Sequence, residues 1–195
     1  MMISFIKWVM NILFCHILYH VKFTHKEQEE KLSSCLICPN HSNTLEPTWI
    51  YAKTKNICVM AKAELFKIKL VGYLFKKCNI FPIHRGEKDI KSILHAINLF
   101  KNKESCKLLI FPEGRRIKKE EERGVAKVGA AYIAYKANVP IVPVYITKNV
   151  KLFSKVNVIY GEPIYVTKEI VKDKEKLEQF SQELLDKIYQ LKEEI

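Results

Sequence analysis

His41 and Glu46 stand five positions apart in Asn40-His41-Ser42-Asn43-Thr44-Leu45-Glu46-Pro47, a polar segment that directly follows an apolar run. A carboxylate bonded to one imidazole nitrogen fixes the ring's tautomer and raises its basicity, leaving the other nitrogen to take a proton from a hydroxyl. Pro47, with its fixed φ, suits the first turn of a helix and puts Glu46 at that helix's start. Taken alone, the same residues also describe a capping glutamate and a loop histidine. A second polar turn ends another apolar run, Leu108-Leu109-Ile110-Phe111-Pro112-Glu113-Gly114-Arg115-Arg116. Gly114 permits a sharp reversal there, and the two arginines offer forked donors for a phosphate. In isolation this too reads as a solvated basic turn. Both segments follow a strand, the place where an α/β domain builds its site.

The elements that must position these groups show as short apolar runs alternating with amphipathic stretches. Strands are expected near 34–38, 57–61, 79–83, 107–111, 140–146 and 155–160. Ile90, Ile93, Leu94, Ile97 and Phe100 recur at helical intervals, as do Val125, Val128, Ala131, Tyr132 and Tyr135, and both stripes read as core faces. Leu177, Phe180, Leu184, Ile188, Leu191 and Ile195 lie among many charges and predict one long terminal amphipathic helix. The alternation predicts an α/β domain, a mixed and largely parallel sheet flanked by helices. The six glycines are too scattered for a nucleotide-binding loop.

Residues 1–23 are mostly apolar and set apart from this pattern. Ser4, Lys7 and Asn11 recur at helical spacing with Lys22 continuing the stripe, while Ile3, Phe5, Ile6, Val9, Met10 and Leu13 fall on the other side. Trp8 and Tyr19 suit a headgroup boundary. The pattern predicts an N-terminal amphipathic membrane-anchoring helix lying in the interface, with a single span and an ordinary core helix as its alternatives. A charged connector is expected over 24–32 and the compact domain over 33–195.

Lys and Arg number 33 against 21 Asp and Glu, a formal net charge of +12 that suits an anionic partner without choosing one. No nucleic-acid recognition motif accompanies the charge, so nucleic acid is not an expected partner. Six cysteines in 195 residues are too sparse for a disulfide-stapled scaffold and favour a reducing compartment. Cys35 and Cys38 followed by His41 have the outline of half a zinc site. Residues three apart in a strand point to opposite faces, however, so no metal is expected there. Cys58, Cys78 and Cys106 lie in apolar runs and read as small core residues.

Considered together, the two polar segments resemble the signature of the glycerolipid acyltransferase family: Asn40-His41 with four residues before an acidic one, then Phe111-Pro112-Glu113-Gly114 followed by Arg116. Ile80-Phe81-Pro82-Ile83-His84-Arg85 is similar to the family's second block and Val139-Pro140-Ile141-Val142-Pro143-Val144 to its fourth, so the resemblance covers roughly residues 33–165. It implies that His41 is the general base on an acceptor hydroxyl and that Glu46 orients it. Arg85, Glu113, Gly114 and Arg116 would bind the acceptor's phosphate and shape that end of the site, with the charge of Arg115 beside them or turned to water.

The implied reaction moves a fatty acyl group directly from a thioester, acyl-CoA or acyl-ACP as co-substrate, to the free hydroxyl of a lysophospholipid. The favoured acceptor is 1-acylglycerol 3-phosphate, with no acyl-enzyme intermediate, no metal and no further cofactor. The implied partners are a membrane phospholipid surface at the cytoplasmic face, the acceptor lipid and the thiol carrier. Acylation of glycerol 3-phosphate or another lysolipid, and noncatalytic binding of anionic lipid by a decayed site, are the other readings. The chain departs from the family pattern at Glu46, where Asp is usual, and at Arg115, where Thr is usual. An extra methylene moves a carboxylate by about one bond, and misplacement on the order of 1 Å can cost roughly a hundredfold in rate unless the backbone adjusts.

Overall fold

The computed structural model describes residues 2–83, 90–117, 119 and 122–194. Its strands are β1 (His20–Thr24), β2 (Cys35–Pro39), β3 (Ile57–Lys62), β4 (Ile80–Ile83), β5 (Lys107–Leu109), β6 (Ile141–Ile146) and β7 (Lys155–Tyr160), joined in one sheet of order β1-β7-β6-β2-β5-β3-β4. Parallel neighbours need a crossover, and helices supply it: α3 (Glu46–Lys53) after β2, α4 (Lys69–Lys77) after β3, α5 (Ile90–Asn102) after β4 and α6 (Gly129–Ala137) after β5. Only a short loop joins β6 to β7, and that pair alone among the described strands is antiparallel. After β7 come α7 (Lys168–Lys172) and α8 (Lys174–Gln190), the latter capped by Asp173 Oδ1, which accepts from the Glu175 and Lys176 amides at 2.9 and 3.2 Å. The fold is the mixed, mostly parallel α/β sheet that the alternation predicts.

A mostly parallel sheet covered on both faces needs apolar side chains on both. Cys35 and Ile37 of β2 face a core containing Cys15, Trp49, Ile50 and Val142, whereas Leu36 and Cys38 face the opposite core with Ala96, Ile133, Leu184 and Ile188. Cys35 and Cys38 thus lie on opposite sides of the sheet, as strand spacing requires, and all six cysteines are free and buried. Trp49 fully buried on the inner face of α3 fixes the helix that begins with Glu46. Truncating a buried aromatic of this size costs about 3–5 kcal/mol.

Two regions differ from the pattern expected of them. The N-terminal helix, α1, runs Met2–Met10 and continues as a π-helical segment over Asn11–Ile17, so a helix does not extend to residue 23. His20–Thr24 instead form β1, paired in parallel with β7, which brings these residues into the sheet that the domain was expected to begin near Ser33. The expected connector, 24–32, holds α2 (Glu27–Glu30), and its Glu29 is fully buried in an ion pair with Lys107 of β5. A charge that is buried and paired looks, in sequence, like a charge that is solvated. The other difference concerns α6, which starts at Gly129 rather than near Val125. Residues 122–127 before it form neither helix nor strand, and the Lys127 amide donates to the Pro112 carbonyl at 2.8 Å.

Candidate active site

The site forms at the carboxyl end of β2. Asn40 is buried and ties this point to the end of β6: its Nδ2 donates to the Ile146 carbonyl at 2.9 Å, and its Oδ1 accepts from the Ile146 amide at 2.7 Å. The next residue, His41, is held through both its backbone and its ring. Its backbone N–H donates to Glu113 Oε2 at 2.7 Å and its carbonyl accepts from the Ile117 amide at 2.7 Å. Its ring stacks on Phe111, with centroids 3.9 Å apart and planes inclined by 28°.

His41 Nδ1 lies 2.7 Å from Glu46 Oε2. Glu46 is fully buried at the start of α3, where its carboxylate also accepts from the Ser42 amide at 2.9 and 3.0 Å, the Ser42 hydroxyl at 2.6 Å and the Asn43 amide at 2.8 Å. The amino end of a helix favours negative charge, so the helix and these donors hold the carboxylate together. A carboxylate accepts only, which assigns the proton of the imidazole to Nδ1 and leaves the lone pair on Nε2. The additional methylene of Glu46 therefore does not separate it from the ring; the loop from Ser42 to Leu45 accommodates it, with the Leu45 amide bonded to Asn43 Oδ1 at 3.0 Å.

The second polar segment turns beneath the first. The Gly114 amide donates to the Phe111 carbonyl at 3.0 Å, and Gly114 has φ +65°, a conformation glycine adopts without strain. Glu113 points inward: besides the His41 amide on Oε2, its Oε1 accepts from the Tyr189 hydroxyl at 2.7 Å. Gly124 crosses directly over it, so close that a Cβ there would stand 3.0 Å from Glu113 Cγ. Arg116 and Arg115 are both exposed, but Arg116 donates to the Thr44 hydroxyl and lines the cavities described below, whereas Arg115 lines neither. Arg85 and His84 lie outside the described residues. The structure thus brings His41, Glu46, Glu113 and Arg116 together, gives Gly114 the turn, and sets Arg115 apart.

Two cavities meet at this constellation. One of about 370 Å³ has walls of Val59, Met60, Ala61, Leu65, Phe75 and Ile80, with His41, Thr44 and Arg116 among its polar lining. The other, about 300 Å³, is lined by Ser42, Asn43, Thr44, Arg116, Asn149 and Val150. Thr44 and Arg116 belong to both, so an apolar chamber and a polar one share a cationic boundary beside the imidazole. Sequence reasoning missed Tyr189 and Gly124 as parts of this site. A buried tyrosine hydroxyl needs a partner, but nothing local to the terminal helix points to a carboxylate 76 positions away.

A histidine–carboxylate pair at the strand ends of an α/β sheet, beside an apolar chamber, can take a proton from the hydroxyl of an acceptor that carries hydrocarbon. The family model described as Acyltransferase matches residues 20–147, beginning where β1 begins, and the chain belongs to that family. Among its relatives are 1-acyl-sn-glycerol-3-phosphate acyltransferases from Streptococcus pneumoniae, 31% identical over 155 residues, and Bacillus subtilis, 31% identical over 157. The match covers 76% of this chain and 56% of the streptococcal protein, and 74% of both chains in the Bacillus case. A Helicobacter pylori protein of the same name is 34% identical over 122 residues, which are 61% of this chain and 51% of that one. The chain therefore spans just over half the length of two of these relatives. The crystal structure of the 1-acyl-sn-glycerophosphate acyltransferase PlsC from Thermotoga maritima shares its fold, with a TM-score of 0.75 at 22% identity over 98% of this chain and 78% of that one.

Proposed function

We propose that the protein transfers a fatty acyl group from a thioester of coenzyme A or acyl carrier protein to the free hydroxyl of 1-acylglycerol 3-phosphate at a membrane surface, giving phosphatidic acid. The observation that carries the reading is the Nδ1–carboxylate contact of His41 and Glu46 at 2.7 Å, which leaves Nε2 as base at the wall of an apolar chamber. The names of the relatives in three bacteria point to the same acceptor.

The chemistry follows from these groups. The acceptor hydroxyl gives its proton to His41 Nε2 as its oxygen attacks the thioester carbonyl carbon. Glu46 stabilises the resulting imidazolium through Nδ1–H. The tetrahedral oxyanion then collapses, the carbon–sulfur bond breaks, and the departing thiolate recovers the proton from Nε2. Arg116, between the two cavities, supplies the positive charge for the acceptor's phosphate, while the apolar chamber takes hydrocarbon. The exposed apolar residues of α1, including Phe5 and Trp8, seat the protein on the bilayer.

The test is purified full-length protein with 1-acylglycerol 3-phosphate and each thioester in turn, following phosphatidic acid by mass and free thiol by colour. Thiol release that depends on acceptor is expected, and His41→Ala abolishes it. Acceptor-independent thiol release, or none at all with either donor, would overturn the proposal.

A further inference from the structure

The segment between β3 and β4 presents an apolar face for which the fold has no use. A 3-10 turn, Ala63–Lys67, leads into α4, and on α4 the residues Leu70, Tyr73 and Leu74, spaced to share one face, are 70%, 58% and 39% exposed. A helix on a water-soluble domain ordinarily turns such a stripe inward. Here the inward position belongs to Gly72, where a Cβ would stand 2.6 Å from the Phe66 carbonyl oxygen, so the turn and the helix are packed backbone to backbone with the stripe left outside. Ile68 extends the patch at 56% exposure.

The charge around this patch has one sign. Between residues 62 and 77 lie Lys62, Lys67, Lys69, Lys76 and Lys77 against the single acid Glu64. Apolar side chains ringed by lysines complement a surface with hydrocarbon beneath anionic headgroups. The helix α1 carries the same inversion: Phe5 and Trp8 face out, while Lys7 turns inward over the Tyr51 ring, 4.7 Å from its centroid. The two elements border one cavity, for the chamber beside His41 is lined by Met10 at the end of α1 and by Leu65 and Phe75 of the second segment.

We propose that Ala63–Lys77 is a second membrane-docking element, inserting Leu70, Tyr73 and Leu74 into an anionic bilayer so that α1 and α4 set the chamber between them onto lipid. A lipid then passes from the bilayer into the apolar chamber without crossing water. The inference extends the membrane setting of the proposed reaction, but the surface is tested without reference to catalysis.

The probe is vesicles of phosphatidylglycerol and phosphatidylcholine, with the full-length protein. The variant Leu70→Glu/Tyr73→Glu/Leu74→Glu changes exposed residues that do not line the chamber, and its partitioning onto these vesicles is expected to fall on the order of tenfold or more. As a measurement that does not depend on that variant folding, Tyr73→Cys bearing an environment-sensitive fluorophore should shift to the blue on vesicle addition and be quenched by nitroxide-labelled lipid. Unchanged partitioning of the triple variant, or a label whose emission stays aqueous, overturns the proposal. So does a dimer in sedimentation that the triple variant breaks while its vesicle binding persists, since that makes a second copy the occupant. Label insertion in a protein without acyl transfer would support this surface and defeat only the catalytic reading.

Discussion

The Tyr189 hydroxyl donates to one oxygen of Glu113 at 2.7 Å, and the backbone N–H of His41 donates to the other at 2.7 Å. One buried carboxylate therefore links the terminal helix α8 to the main chain of the proposed base. Tyr189 is itself held from above by cations, with Lys148 Nζ 4.6 Å and the Arg123 guanidinium 5.2 Å from its ring centroid. In a site of low dielectric such a chain rigidifies the group at its end, and a missing member leaves a costly unpaired atom.

Tyr189→Phe keeps the ring and removes only the donor. Leaving a buried carboxylate oxygen without this partner costs about 1–3 kcal/mol of stability. Because the carboxylate also anchors His41, kcat is expected to fall several-fold with the acceptor's KM unchanged, and Glu113→Gln to fall further, since an amide nitrogen must then face a donor. A change confined to KM, or to melting temperature alone, would show that the link is merely structural.

The Glu46 carboxylate meets four donors: His41 Nδ1–H, the Ser42 amide, the Ser42 hydroxyl and the Asn43 amide. Glu46→Asp supplies the residue usual in the family pattern, yet withdraws the carboxylate by about one bond from a loop shaped to the longer side chain. Turnover is expected to drop roughly ten- to a hundredfold, the scale of an ångström's misplacement at a reacting group. Wild-type kcat in this variant would mean that the loop re-forms around the shorter residue and that the fit at position 46 sets nothing.

How much of this was legible beforehand follows from the range of each interaction. The central strands β2, β5 and β6 show because strands buried on both faces are continuous apolar runs with sharp ends, and β3, β4 and β7 because each is a short apolar run bounded by polar residues. β1 does not, because His20-Val21-Lys22-Phe23-Thr24 is an edge strand with intermediate and exposed residues, and it continues an apolar helix without a break in composition. His41 and Glu46 were legible as a pair because five residues separate them and a helix start brings them together. The inward turn of Glu113 was not: its partners are 72 and 76 positions away, and a carboxylate next to two arginines reads locally as part of a phosphate site. Arg115 and Arg116 are likewise indistinguishable in sequence, and only the direction of the turn after Gly114 separates the one that lines the cavities from the one that does not.

That separation is testable in a pair of variants. A hydrogen bond from a charged group contributes about 1.5–3 kcal/mol, and 1.4 kcal/mol is tenfold in affinity. Arg116→Ala is therefore expected to raise the KM for 1-acylglycerol 3-phosphate about tenfold or more, with a smaller effect on an acceptor lacking the phosphate. Arg115→Ala should leave both close to wild type. Equal effects from the two arginines would place the phosphate outside the boundary between the cavities.

Alkaline pH tests the buried hydroxyls directly. Burial, reinforced by bonding to Glu113, pushes the Tyr189 phenol above the usual tyrosine range; burial does the same for Tyr160, and for Tyr51 together with the neighbouring Cys78 thiol. In the unfolded chain each ionises near the ordinary value of about 10. Below that pH their contribution to stability is fully present; as pH rises past it the unfolded state sheds protons that the folded state keeps, so stability falls. In an absorbance titration Tyr189, Tyr160 and Tyr51 should stay silent past the ordinary tyrosine range until the protein unfolds. In Tyr189→Phe the silent group should shrink by one and the alkaline loss of stability become less steep. Ionisation of all nine tyrosines with a single midpoint near 10, in protein whose far-ultraviolet dichroism is still native, would mean that Tyr189 does not hold its proton against Glu113 and that the link to His41 is not closed.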